Sequence, residues 1–298
     1  MNELTHFRFD VDDNGVATIP LDRDGEPINL LELPADLAAP GRWPDFLLAY
    51  AQPQDGITNP AEYNNLGEDS AQPLTVDLDQ LGPVNNNDGT MVDNGDGTFT
   101  ATTGGTTYPA GAFPAGATLR AVGLQGYFQV DTDSDGDDDY SLHTPSAVIA
   151  VDGDDARREV VDNTSCASCH EWFEGHGGNR VFNMNICVMC HVPNLTSSGR
   201  RIDPADASDT VKDVYGPDPL LYPEATNNFK DMIHGINGAE IRTTDYEFVR
   251  DRQNGIPYNW SEVVFPANAG DCTRCHKSET FEVPLVGDTL LTTNRITG

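Results

Sequence analysis

The order of apolar and polar positions divides the chain into two unlike halves. Up to about residue 150, short runs rich in β-branched and aromatic residues alternate with turn signals, at Asp12-Asp13-Asn14-Gly15, Asn86-Asn87-Asp88-Gly89 and Asn94-Gly95-Asp96-Gly97. Asn-Gly and Asp-Gly supply the positive φ angles of tight hairpins, so residues 93–99 predict a turn running into a strand. Residues 118–130 place Val122, Leu124, Phe128 and Val130 on one face, the pattern of a half-buried strand. Regular short strands with Gly and Pro punctuation predict a mainly β domain, a sandwich or small barrel, over residues 1–155. No clear internal repeat is visible, and no apolar run reaches the length that spans a bilayer.

Beyond Asp152-Gly153-Asp154-Asp155 the pattern changes. Helical periodicity is weak, polar connections are long, and all the cysteines and most histidines are gathered there. Residues 156–298 therefore predict a second domain with little regular secondary structure and short helices. Such a domain needs something other than side chains to fill its interior.

Charge sharpens the division. The net charge is −31, and residues 1–155 hold 28 Asp and Glu against 4 Arg and no Lys. So acidic a half argues against nucleic acid or an anionic membrane as partner. It favours solubility, cation binding or a salty exterior. The first residues, MNELTHFRFDVDDNG, lack a basic start followed by an apolar stretch, so no signal peptide is read here. An exported protein of this sequence is expected to be a mature form. No cysteine near the start offers a lipid anchor.

All six cysteines fall in three copies of C-x-x-C-H: Cys166, Cys169 and His170; Cys187, Cys190 and His191; Cys272, Cys275 and His276. This is the attachment signature of c-type haem. Two thiols three positions apart reach the two vinyl groups of one porphyrin, and the following histidine lies under the ring to bind iron. The first two motifs also fit a zinc-ribbon spacing. Zinc would leave the third motif idle and would not explain a histidine after every pair. Three covalent haems are the expectation.

Seven histidines leave four beyond the proximal ones, enough for bis-histidine iron throughout. His176, His234, His143 and His6 are the distal candidates, with Met184, Met189 and Met232 as competing ligands or packing residues. The run Asp131, Asp133, Asp135, Gly136, Asp137, Asp139 matches the first half of a D-x-D-x-D-G calcium loop. Its twelfth position is Leu142 instead of a glutamate, so the candidate Ca²⁺ site is no complete EF-hand, and a bare acidic turn is the alternative. A weaker match over residues 10–15 reads as a hairpin turn.

The stretch CASCHEWFEGHGGNRVFNMNICVMCHVPNLTSSG (166–199) closely resembles the first haem pair of the OmcA/MtrC family of outer-membrane multihaem cytochromes. NFKDMIHGINGAE (228–240) and GDCTRCHKSETFEVPL (270–285) resemble that family's distal-histidine segment and a further haem site. The strand and turn pattern around DNGDGTF is similar to the β domain that precedes its haem domains. The resemblance implies that His176 and His234 are distal ligands. It also implies electron export at the cell surface toward minerals, soluble shuttles or partner cytochromes. Two departures stand out: Asn237 replaces the second histidine of the family's H-x-I-H element, and haem domains there commonly carry more haems. A compact three-haem relative and a fragment of a longer protein both fit.

Saturated iron leaves no open site for substrate, so an electron-transfer protein is the leading expectation over an enzyme. Its partners would be other cytochromes, copies of itself and extracellular electron acceptors. A reductase with one open iron is the second reading. A filament subunit, with His6 reaching a neighbour's iron, is the third. The expected location is extracellular or the outer-membrane surface, with the periplasm as the alternative.

Overall fold

The computed structural model describes residues 10–11, 16–19, 22–23, 26–37, 43–108, 113–133, 135–137, 139–144, 146–170, 173–283, 285 and 287–293. His6 and the turn residues 12–15 lie outside this set. In chain order the strands of the first half are β1 (Asp10–Val11), β2 (Val16–Ile19), β3 (Asp22–Arg23), β4 (Glu26–Pro27), β5 (Asp45–Ala51) and β6 (Leu74–Asp77). They continue with β7 (Gly89–Asp93), β8 (Phe99–Thr103), β9 (Thr118–Gln125), β10 (Tyr127–Val130), β11 (Tyr140–His143) and β12 (Ala147–Ala150). Two antiparallel sheets have the orders β1-β2-β8-β7 and β12-β9-β5-β6. The predicted turn at 93–99 joins β7 to β8, where the Asn94 amide donates to the Thr98 carbonyl at 3.0 Å.

The two sheets face one another. Phe46 and Leu48 of β5, Val76 of β6, and Val122 and Leu124 of β9 share one core with Met91, Phe99 and Ala101 of the other sheet. This is a sandwich; the described residues form no closed barrel. Fully burying a side chain such as Leu48 contributes roughly 1.5–3 kcal/mol.

The other face of β5 and β9 is covered as well. Leu47, Ala49 and Ala121 pack with Ile186 and Met189 from the second half of the chain. Residues 118–130 are therefore not one half-buried strand. They break at Gly126 (φ 109°), where a Cβ would stand 2.9 Å from Pro44 Cα, and β9 is buried on both faces. A strand covered on both sides reads as a continuous apolar run, as DFLLAYA in β5 does.

The second half contains the short helices α1 (Asn163–Ala167), α2 (Met184–Cys190), α3 (Asp209–Tyr215) and α4 (Phe229–Asn237). Two hairpins accompany them, β13 (Glu174–Gly175) with β14 (Arg180–Val181), and β15 (Glu247–Arg250) with β16 (Ile256–Asn259). The side chains of Asp162, Asn183 and Ser208 cap α1, α2 and α3, accepting from the otherwise unpaired amides of the first turn. A small core of Ile202, Val211, Tyr222 and Val249 supports the region. The end of the first half is tied back to β9. Asp154 accepts hydrogen bonds from the Arg120 amide at 2.6 Å and from its Nη2 at 2.8 Å. Among the described residues, no helix is long and apolar enough to cross a membrane.

Candidate haem centres

The three C-x-x-C-H motifs share one backbone conformation, though only two involve α-helix. The histidine amide donates to the carbonyl of the first cysteine at 2.9 Å in His170, 2.9 Å in His191 and 3.0 Å in His276. One such helical turn brings both thiols and the imidazole to the same side. The first motif begins in the last turn of α1 and runs past it, the second takes the C-terminal half of α2 and ends at its cap His191, and the third forms a 3₁₀ turn over Cys272–Arg274. The six thiols are unbridged. Burial pushes the Cys187 thiol up to about 12 and raises Cys190. Among the described residues, the one close set of three ligand atoms from His, Cys, Asp or Glu is Asp131, Asp133 and Asp139. The cysteines of the first two motifs are thus not gathered around a common centre, as zinc would need.

Two proximal histidines each face a predicted distal one. The rings of His191 and His176 have centroids 5.9 Å apart, and those of His276 and His234 are also 5.9 Å apart. A metal–imidazole nitrogen bond is about 2 Å, so two rings on opposite sides of one ion have centroids about 6 Å apart. His191 Nδ1 lies 2.8 Å from the Asn227 carbonyl. Such a bond fixes the tautomer with Nδ1 protonated and Nε2 free for a metal. Burial, followed by the charge of Arg180, pushes both His176 and His191 down to about 4. For His191 the bond to Asn227 opposes that shift. Burial also lowers His276. Neutral imidazole is the form that binds metal.

Local backbone explains how His176 reaches its place. It turns the β13–β14 hairpin at φ 58°, followed by Gly177 at 69° and Gly178 at 89°. Three successive left-handed residues suit glycine, which accounts for the HGG sequence. His234 comes from the middle of α4, and Asn237, one turn later on the same side, lines the same cavity. That cavity has a volume of about 550 Å³ and is bounded by Cys272, Cys275, His276, His234 and the edge of His191. The size is that of a cofactor pocket. The buried His276 Nδ1 has no hydrogen-bond partner among the described residues. Thiols, facing imidazoles and an apolar cavity together suit a covalently attached haem.

The remaining candidates are placed less completely. His143 ends β11 with Nδ1 3.0 Å from the Gly178 carbonyl and its ring 5.5 Å from Tyr127. His170 is exposed and packs edge-on against Phe173 at 5.5 Å. Among the described residues, no histidine ring stands opposite His170 at the spacing of the other two pairs. Met189 is fully buried in the core between β5, β9 and α2, and Met184 and Met232 are covered to differing degrees. In the acidic loop, Asp131, Asp133 and Asp139 approach within 4.8 Å of one another, while Asp135 and Asp137 stay outside that group. Leu142 points into the β core.

Sequence reasoning missed the carbonyls of Asn227 and Gly178, which only the fold can bring to a histidine. It also missed Glu62, Arg157 and Arg158 on the cavity wall. The adjacent arginines, the first basic pair after a long acidic stretch, were a visible signal.

Residues 158–296 match the family model described as outer membrane cytochrome MtrC/MtrF-like, domains II/IV. The fold is similar to the crystal structure of the outer membrane decaheme cytochrome OmcA, with a TM-score of 0.50 and 16% identity, over 91% of this chain and 39% of that one. The chain thus spans about two-fifths of that protein's length. No curated protein matches it. The family match and the fold likeness point the same way: residues 158–296 match an MtrC/MtrF-like outer membrane cytochrome domain, and nearly the whole chain is similar in fold to a cytochrome of that kind.

Proposed function

We propose that the protein carries electrons outside the cytoplasm through three covalent haems, at Cys166 and Cys169, at Cys187 and Cys190, and at Cys272 and Cys275. The observation that carries this reading is the pair of facing imidazoles at 5.9 Å, repeated at His176–His191 and His234–His276. Haem supplies a one-electron redox couple whose potential depends on its axial ligands and surroundings. The chain supplies the rest. Nδ1 of His191 is held by a carbonyl, which would leave Nε2 free for the iron, and the apolar wall of the cavity would shield a bound haem from water. We assign His143 to the first motif, because its Nδ1 is anchored in the same way and the other two pairs are filled. The acidic β half, residues 1–155, serves as the frame, and residues 156–298 hold the haems. Location at the outer surface, with other cytochromes and extracellular acceptors as partners, is supported by the likeness of residues 158–296 to outer membrane cytochrome domains.

A second reading is favoured by one observation, the exposed His170 with no histidine ring opposite it among the described residues. An open first iron would make the protein a reductase, and His6 of a neighbouring copy bound there would make it a filament subunit. Ferric electron paramagnetic resonance and carbon monoxide binding separate these readings. Low-spin signals alone and no carbon monoxide uptake support the carrier. A high-spin haem that takes up carbon monoxide supports the reductase. A low-spin first haem that turns high-spin on dilution to monomers supports the filament.

Calcium at Asp131, Asp133 and Asp139 belongs to the same reading. Its support is the closeness of the three carboxylates and the direct run of chain from that loop into β11 and His143. Titration calorimetry with calcium on the chelator-treated protein tests it, and Asp139→Asn is expected to abolish the binding.

A further inference from the structure

One end of the 550 Å³ cavity carries positive charge that the chain itself leaves partly unsatisfied. Arg157 and Arg158 line it beside Glu62 and Tyr63. Arg158 Nη2 donates to Glu62 Oε1 at 2.5 Å, and Arg157 Nη1 donates to the Arg158 carbonyl at 3.1 Å. The Nε atoms of both arginines and Glu62 Oε2 are buried with no hydrogen-bond partner among the described residues. Glu62 is thus paired directly with Arg158 alone, whose side chain stays 34% exposed, while the Nε donors of both arginines are buried without an acceptor among the described residues. A buried cation is strongly disfavoured unless an anion meets it.

The backbone ties this charge to the third motif. The Asp162 amide donates to the Cys275 carbonyl at 2.9 Å, and the Lys277 amide donates to the Val160 carbonyl at 3.0 Å. Val161 and His276 form an antiparallel bridge between those bonds. The arginines thus stand on the segment that borders Cys275 and His276.

Haem is itself an anion at its edge, because it carries two propionate carboxylates. A guanidinium fork matches a carboxylate with two parallel N–H···O bonds, and Nε is one of the donors of that fork. We propose that Arg157 and Arg158 receive the propionates of the haem attached at Cys272 and Cys275, and so raise its reduction potential. This rests on the reading of the third motif as a haem site. The reasoning is electrostatic: an electron added to the haem is stabilised by a fixed cation nearby, and Glu62 opposes that effect.

The test is a spectroelectrochemical titration of the full-length holoprotein and its Arg157→Gln, Arg157→Lys and Glu62→Gln variants, with haem counted by intact mass. Arg157→Gln is expected to make reduction of one haem about tenfold less favourable, which is about 59 mV for one electron. The other transitions should stay in place. Arg157→Lys should recover most of that shift, and Glu62→Gln should move the same transition upward. A fully loaded Arg157→Gln protein with unshifted transitions overturns the assignment. If Arg157→Gln loses a haem, Glu62→Gln decides: an upward shift of one transition supports the assignment, and an unmoved titration overturns it. A wild-type protein without haem on Cys272 and Cys275 would overturn the parent reading, and the assignment with it. Three haems with unshifted transitions overturn the assignment alone.

Discussion

The imidazoles of His234 and His276 stand opposite one another, with centroids 5.9 Å apart and planes only 24° from parallel. One sits on α4 and the other follows a 3₁₀ turn, so nothing in local chain geometry makes them neighbours. The shared cavity does. If they are the two axial ligands of one iron, His234→Ala leaves the haem attached through Cys272 and Cys275 but removes one ligand. The expected outcome is an unchanged mass for the bound haems and a new high-spin signal that responds to carbon monoxide. An unchanged low-spin spectrum would show that His234 is not a ligand.

Gly235, next to that ligand, is buried against Tyr246. A Cβ there would stand 2.5 Å from Tyr246 Cδ2 and 2.6 Å from Cγ. The ring cannot swing away freely, because Tyr246 is buried and its hydroxyl donates to the Thr226 carbonyl at 2.6 Å. Overpacking of this kind costs roughly 1–3 kcal/mol. Gly235→Ala is expected to lower thermal stability by calorimetry, and an unchanged melting curve would contradict the packing described.

Gly178 has a related role beside His143. It adopts φ 89°, and a Cβ would lie 2.8 Å from His143 Cε1. Placing an L side chain in left-handed backbone costs roughly 1–2 kcal/mol. Gly178→Ala should therefore both destabilise the fold and disturb the spectrum of whichever haem His143 serves. Destabilisation with no spectral change would argue that His143 binds no iron.

A pH dependence follows from the β frame. Asp45 and Asp77 are cross-strand partners on β5 and β6. Burial, and next the nearby Asp77 charge, push Asp45 up to about 7. In the unfolded chain Asp45 titrates near the ordinary aspartate value of about 3.9. Between these values the folded state holds a proton that the unfolded state has lost. The stabilising contribution is full below about pH 4 and disappears as pH rises through about 7. Asp45→Asn is expected to flatten this stretch of the stability curve and to stabilise the protein at pH 8, measured by denaturant unfolding. A variant no more stable than wild type at pH 8 would contradict it.

Much of this arrangement was readable from the chain. The three C-x-x-C-H motifs announced their chemistry because attachment is local: four or five residues in one turn suffice. The hairpin at Asn94-Gly95 was legible for the same reason. The sandwich was partly legible, but the two-sided burial of β9 was not, since the sequence does not say that Ile186 and Met189 will cover Ala121 and Gly123. The pairing of histidines was only half legible. Resemblance marked His176 and His234 as ligands, yet which proximal histidine each one faces depends on contacts between distant segments. The same limit hid Arg157 and Arg158, whose significance appears only once Glu62 and Cys275 are beside them. The sequence offers five candidate aspartates in the acidic loop, and the fold gathers Asp131, Asp133 and Asp139.

The account stands on three covalent haems held by this one chain. Intact mass spectrometry of the exported protein under denaturing conditions measures that number directly, because thioether-linked haem survives unfolding. The account predicts one species carrying three haems, and a Cys272→Ala, Cys275→Ala double variant carrying two. A wild-type mass with fewer than three, or a double variant that still carries three, would contradict it.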